Sequence, residues 1–195
     1  TRTRVSFESG MYQLGGHALV MSASDLQMGR GEPIYDTARV LSRYCDGIMI
    51  RTYAQEDVEE LARVGSIPVI NGLTDFCHPC QILADLMTIR EYKQGLSGLK
   101  LAFIGDTNNM SNSLIVGCLK VGMQIACAYP EGYAFPKEIL DFAAQYDGLT
   151  LTHDPLEAAA GADVLETDVW ASMGEEGEAE KRRRDFAGYQ INDQV

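Results

Sequence analysis

His78 and Gln81 stand three residues apart in His78-Pro79-Cys80-Gln81, which opens the apolar run Ile82-Leu83-Ala84-Asp85-Leu86. Side chains at that spacing on a helix project from one side. An imidazole and a primary amide are therefore offered together, a pair suited to a small polar ligand carrying one carbonyl and one amino group. Other groups able to do chemistry lie at the joints of the chain: Thr1-Arg2-Thr3-Arg4, Gln27 within Asp25-Leu26-Gln27-Met28-Gly29, Arg51, Asn109 within Gly105-Asp106-Thr107-Asn108-Asn109, and Asp168-Val169-Trp170-Ala171-Ser172-Met173-Gly174. Taken singly, each has an ordinary reading: a basic surface cluster, an exposed strand end at Arg51, a helix-start histidine, a strand-end carboxylate at Asp168. The first tetrapeptide also suits an anion, because a helix N-terminus presents free N–H groups and arginine adds a planar fork for phosphate oxygens.

Hydrophobic spacing supplies the elements that would position these groups. Helices are predicted over 3–14, from Ile34 to Cys45, and over 56–64, 79–92, 111–121, 136–145 and 155–160. Strands are predicted over 17–22, 47–50, 67–70, 100–105, 124–129, 149–152 and 164–167. The alternation of the two periods defines an α/β protein. It is read as two Rossmann-like, doubly wound parallel-sheet lobes joined by the helix that follows His78. The break Gln94-Gly95-Leu96-Ser97-Gly98 divides them, giving lobes of residues 1–93 and 94–195. Arg51, Asn71, Gly105-Asp106 and Asp168 all fall at or just after strand C-termini, where ligands bind in such sheets. The charged run from Glu175 to Arg184, acid first and base last, suits a helix dipole and reads as a solvated surface helix or a mobile loop.

Composition narrows the function classes. The chain has 195 residues, 46% of them hydrophobic, enough for a sizeable core. A net charge of −12 argues against a nucleic-acid partner. A few local arginines can still govern a pocket for a small anion, because screening confines the global field to about 8–10 Å. No segment reaches transmembrane length and the N-terminus is not a signal peptide, so no membrane partner is expected. Cys77 and Cys80 frame a single Cys-His-Pro-Cys with no second pair or nearby histidine set, so no metal is assigned. The five cysteines read as reduced thiols of a cytoplasmic protein. Gly105 to Asn109 follows a strand and precedes a helix but lacks the G-x-G-x-x-G fingerprint, which disfavours a dinucleotide site.

The ordered set of motifs resembles the ornithine carbamoyltransferases over nearly the whole chain. Thr1-Arg2-Thr3-Arg4 matches four of the five residues of the family's Ser-Thr-Arg-Thr-Arg phosphate motif. His78-Pro79-Cys80-Gln81 and Asp168-Val169-Trp170-Ala171-Ser172-Met173-Gly174 match two further signatures. The resemblance implies that Thr1, Arg2, Thr3, Gln27, Arg51, His78 and Gln81 bind carbamoyl phosphate, with Arg51 and His78 catalytic. It implies that Asn109, Asp168, Ser172 and Met173 bind L-ornithine. Gln27 would reach the site of a neighbouring subunit, so a homo-oligomer, typically a trimer, is expected. No cofactor is needed for the implied transfer of the carbamoyl group to the ornithine δ-amine, which yields citrulline and phosphate in arginine metabolism. The chain starts inside the phosphate motif and stops before the family's His-Cys-Leu-Pro motif. An internal piece of the enzyme, inactive alone, is therefore expected. Alternatives are a carbamoyltransferase for another amine or amino acid, and a chain that binds carbamoyl phosphate without turnover.

Overall fold

The computed structural model describes residues 2–22, 31–171 and 176–195. Thr1, Gln27, Ser172 and Met173, all expected at the site, lie outside the described residues. The chain forms two compact units, Thr1–Gly72 and Leu73–Val195.

In the first unit, α1 (Arg2–Gln13) is followed by α2 (Ile34–Leu41), β1 (Ile48–Arg51), α3 (Gln55–Val64) and β2 (Val69–Leu73). β1 and β2 pair in a two-stranded sheet. Among the described residues, Val58 and Leu61, three apart on α3, and Ala38 on α2 are its buried apolar side chains, so this small core lies where α2 and α3 meet. The strand expected over 17–22 does not form. No strand among the described residues pairs with that stretch, and an extended segment without a ladder partner has no sheet to join. Leu19 there is 65% exposed.

The second unit carries the doubly wound pattern in full. It comprises α4 (Pro79–Lys93), β3 (Lys100–Ile104), α5 (Asn109–Lys120), β4 (Gln124–Ala128), α6 (Lys137–Ala143), β5 (Leu149–Thr152), α7 (Pro155–Ala159), β6 (Val164–Glu166) and α8 (Ala179–Asp185). The sheet order is β5-β4-β3-β6, and each pairing is parallel. Leu101, Phe103, Ile125 and Cys127 face a cluster built with α4, α5 and α6. Ala102, Ile104, Ala126 and Ala128 face Ala158 of α7. Alternate strand residues thus meet helices on both faces, which explains why these strands read as continuous apolar runs.

The helix after His78, read in the sequence as the element that joins the two lobes, packs on α5 within the second unit: Ile82, Leu86 and Ile89 enter the same cluster as Leu114, Ile115 and Cys118. It starts with Pro79 in its first turn, where proline lacks no needed N–H. It ends at Gln94 in the left-handed region, φ 60°. Among the described residues, no helix is long and apolar enough to cross a membrane.

Candidate active site

In the first unit, α1 begins at Arg2 and β1 ends at Arg51. The Arg51 guanidinium crosses that separation: Nη1 donates to Thr3 Oγ1 at 2.9 Å. The threonine at the start of α1 and the strand-end arginine, 48 residues apart in sequence, are therefore neighbours in space. Arg2 and Arg51 are exposed. Together the helix start, a hydroxyl and arginine forks provide the donor set that an oxyanion requires.

In the second unit, a short segment between β2 and α4 is clamped onto the start of α5. Asn109 Nδ2 donates to the Thr74 carbonyl at 2.6 Å, Asn112 Nδ2 to the Phe76 carbonyl at 3.0 Å, and the His78 backbone N–H to Ser113 Oγ at 2.7 Å. Thr74 closes the turn by accepting the Cys77 N–H at its Oγ1. His78 then occupies the N-cap position of α4, with Gln81 exposed one turn on. The α5 start is itself rigid: Asn108 and Ser111 form a reciprocal capping box. His78, Gln81 and Asn109 are thus set by one hydrogen-bonded scaffold.

Asp168 is half-buried two residues beyond β6. The segment that carries it is anchored at Trp170, whose indole N–H donates to the Tyr189 carbonyl at 3.0 Å and whose own carbonyl accepts Arg182 Nη1 at 3.1 Å. Arg182 also pairs with Asp106 in the loop after β3, at 2.6 Å. That arginine sits in the run expected to form a solvated surface helix. The helix forms, but Arg182 points inward, only 7% exposed, beside fully buried Phe186. The one signal available in the sequence was Phe186 at i+4 from Arg182, a weak mark of a buried face.

Sequence reasoning also passed over two acids. Asp85 on α4 accepts from Gln81 Nε2 at 2.9 Å, and burial pushes its carboxyl up. Glu166 at the end of β6 is pushed up to about 8, first by burial and then by the charges of Asp85 and Asp168. Neither lies in a signature motif, and their pairing depends on how α4 crosses the sheet. Among the described residues, no group of three or more His, Cys, Asp or Glu side chains could hold a metal ion.

Residues 1–91 match the aspartate/ornithine carbamoyltransferase carbamoyl-P binding domain, and residues 97–195 match the Asp/Orn binding domain of the same enzymes. The chain belongs to the aspartate/ornithine carbamoyltransferase family. Among members of that family, the ornithine carbamoyltransferase of Carboxydothermus hydrogenoformans is 57% identical over the whole chain, and that of Geobacter sulfurreducens 57% over 99% of it. The chain spans 64% of the length of each of these curated relatives. Among solved structures, ornithine carbamoyltransferase from Pyrococcus furiosus superposes with a TM-score of 0.92 at 52% identity, covering 99% of this chain and 63% of that one. The anabolic enzyme from Campylobacter jejuni gives 0.92 at 42% identity, covering all of this chain and 66% of that one.

Proposed function

We propose that the protein transfers the carbamoyl group of carbamoyl phosphate to the δ-amine of L-ornithine, giving L-citrulline and phosphate. The observation that carries this reading is the Arg51–Thr3 hydrogen bond, which assembles a phosphate-binding donor set at the head of the domain matched to carbamoyl-P binding. Thr1, Arg2, Thr3 and Arg51 hold the phosphate, and Gln27 is contributed by a neighbouring subunit of a homo-oligomer, a trimer. His78 donates to the carbamoyl carbonyl oxygen and Gln81 accepts from the carbamoyl amino group. Asn109, Asp168, Ser172 and Met173 bind the α-amino-acid end of ornithine, with Asp168 pairing with the α-ammonium. The five free thiols fit a cytoplasmic enzyme.

The chemistry is an acyl-type transfer. The neutral δ-amine attacks the carbamoyl carbon, and negative charge gathers on the carbonyl oxygen, where Thr3, Arg51 and His78 donate. Loss of one such preorganised donor costs about 3–4 kcal/mol of barrier stabilisation. The new C–N bond forms as the C–O bond to phosphate breaks. The proton lost by the amine passes to the departing phosphate, which leaves as hydrogen phosphate against Arg2 and Arg51. Alignment of the two substrates supplies much of the remaining acceleration.

The test supplies the purified full-length gene product with carbamoyl phosphate and ornithine, with putrescine and aspartate in parallel. Citrulline alone is the expected product. Turnover with another acceptor instead would reassign the substrate. Stabilisation by carbamoyl phosphate without turnover of any acceptor would favour a binding role.

A further inference from the structure

Val164 at the start of β6 packs against the cluster that contains Ile82, Leu86 and Ile89 of α4. Side chains two apart on a strand share a face, so Glu166 is presented to that same side of the sheet. On α4, Ile82, Asp85, Leu86 and Ile89 follow the i, i+3, i+4, i+7 spacing of a single face, and the three apolar members are buried. Asp85 is therefore carried inward among them, toward the sheet.

Its two oxygens are in different situations. Oδ1 accepts from Gln81 Nε2 at 2.9 Å. Oδ2 is buried and receives no hydrogen bond from a donor among the described residues. A buried acceptor with no donor is costly, and a protonated Glu166 supplies one. Burial, then the Asp85 charge, then the Asp168 charge push the Glu166 carboxyl up to about 8, so it holds its proton at neutrality. The titratable group facing the pair from α5 is Cys118, whose thiol is pushed up to about 12 and stays neutral.

We propose that Glu166 and Asp85 form a proton-sharing carboxyl pair that acts as a positioning device for the Gln81 side chain. A carboxylate can only accept, so Asp85 binds the NH2 end of the Gln81 amide and turns Oε1 outward as an acceptor. Glu166 donates to the opposite oxygen of Asp85 and holds it in place. The outward Oε1 is what the amino group of carbamoyl phosphate requires, and the inference rests on that proposed role of Gln81. When Glu166 ionises, two like charges meet, the donor to Asp85 is lost and the amide is released.

Steady-state kinetics of the wild-type enzyme and of Glu166→Leu, Glu166→Gln, Gln81→Ala and the double variant Gln81→Ala/Glu166→Leu, from below neutrality to above pH 8, test this. Glu166→Leu is expected to raise KM for carbamoyl phosphate roughly tenfold, the loss of one oriented hydrogen bond, with KM for ornithine unchanged. Glu166→Gln keeps a donor that does not titrate. It is expected to restore KM and abolish the rise in KM that the wild type shows above about 8. In the Gln81→Ala background, Glu166→Leu is expected to add nothing. The inference is overturned by an unchanged KM in Glu166→Leu, by an equal rise with and without Gln81, or by an alkaline rise that persists in Glu166→Gln. A wild type that makes no citrulline overturns the functional reading itself, whereas citrulline production with KM indifferent to Glu166 overturns only the positioning role.

Discussion

Arg182 Nη1 lies 2.6 Å from Asp106 Oδ2, with both side chains almost wholly buried at 8% and 3% exposure. The pair joins α8 to the loop after β3, and the same nitrogen donates to the Trp170 carbonyl. Asp106 is held in turn by accepting the Thr107 N–H at 2.8 Å. Desolvation offsets much of the attraction in such a pair, so its net contribution is modest, but removing one member leaves a buried charge. Arg182→Met is therefore expected to destabilise the second unit by about 3–5 kcal/mol. The double variant Arg182→Met/Asp106→Leu is expected to recover part of that loss. Chemical denaturation followed by tryptophan fluorescence reads both, since Trp170 is the single tryptophan. Additive losses in the double variant would show that the two side chains act independently.

The Arg51–Thr3 hydrogen bond makes a different demand, because it is exposed. Exposed pairs contribute little to folding, roughly 0–1 kcal/mol. Arg51→Lys is accordingly expected to leave the melting temperature nearly unchanged. It replaces a planar fork by a point charge, and binding of inorganic phosphate is expected to fall about tenfold or more by calorimetry. A variant that melts early and binds normally would assign Arg51 to structure.

Gly117 lies on α5 where α4 crosses it. A Cβ added there would stand 2.3 Å from Ile82 Cγ2, a stiff β-branched side chain already buried in the core. Alanine is the better helix former by about 1 kcal/mol, yet the overlap forces α4 away from α5. Gly117→Ala is expected to be net destabilising by roughly 1–3 kcal/mol. Gly117→Ala combined with Ile82→Ala is expected to be less unstable than the sum of the two changes. Equilibrium unfolding of the four proteins closes the cycle, and strict additivity would remove the contact from the explanation.

What could be read from the sequence followed local rules, and what could not depended on long-range packing. The second-unit strands, the proline at the start of α4 and the position of His78 and Asn109 at helix starts all carry local signals. The 17–22 stretch has strand-like composition, but a strand also needs a partner, which no local pattern supplies. Arg182 lies within a charged run that reads as solvated. Its burial follows from where Asp106 lies in the loop after β3, 76 residues away in sequence. The partnership of Asp85 with Glu166 is hidden for the same reason, since neither periodicity nor motif says which helix will lie over the end of β6.

That hidden pair gives the protein a pH-dependent stability whose sign is opposite to that of most acid residues. Glu166 has an ordinary value of 4.5 and is pushed up to about 8 in the folded protein. Between those two limits the folded state holds a proton that the unfolded chain has released. Stability therefore falls as pH rises through that window and is level above it. Asp85, also pushed up by burial, adds a fall of the same sign, and Asp185, held down by hydrogen bonds from Lys181 and Tyr133, contributes the reverse. Asp185 is shared by a Glu166→Gln variant, whereas Asp85 responds to Glu166, so the difference between variant and wild type reports the carboxyl pair. Glu166→Gln is expected to match the wild type below pH 4.5, to gain on it steadily as pH rises, and to reach a constant advantage above about pH 8. Urea unfolding at a series of pH values measures that difference directly. Parallel profiles for the two proteins would mean that Glu166 ionises as freely in the fold as in the unfolded chain, and a wild type that gained on the variant with rising pH would mean that its carboxylate, not its acid form, is the species the fold stabilises.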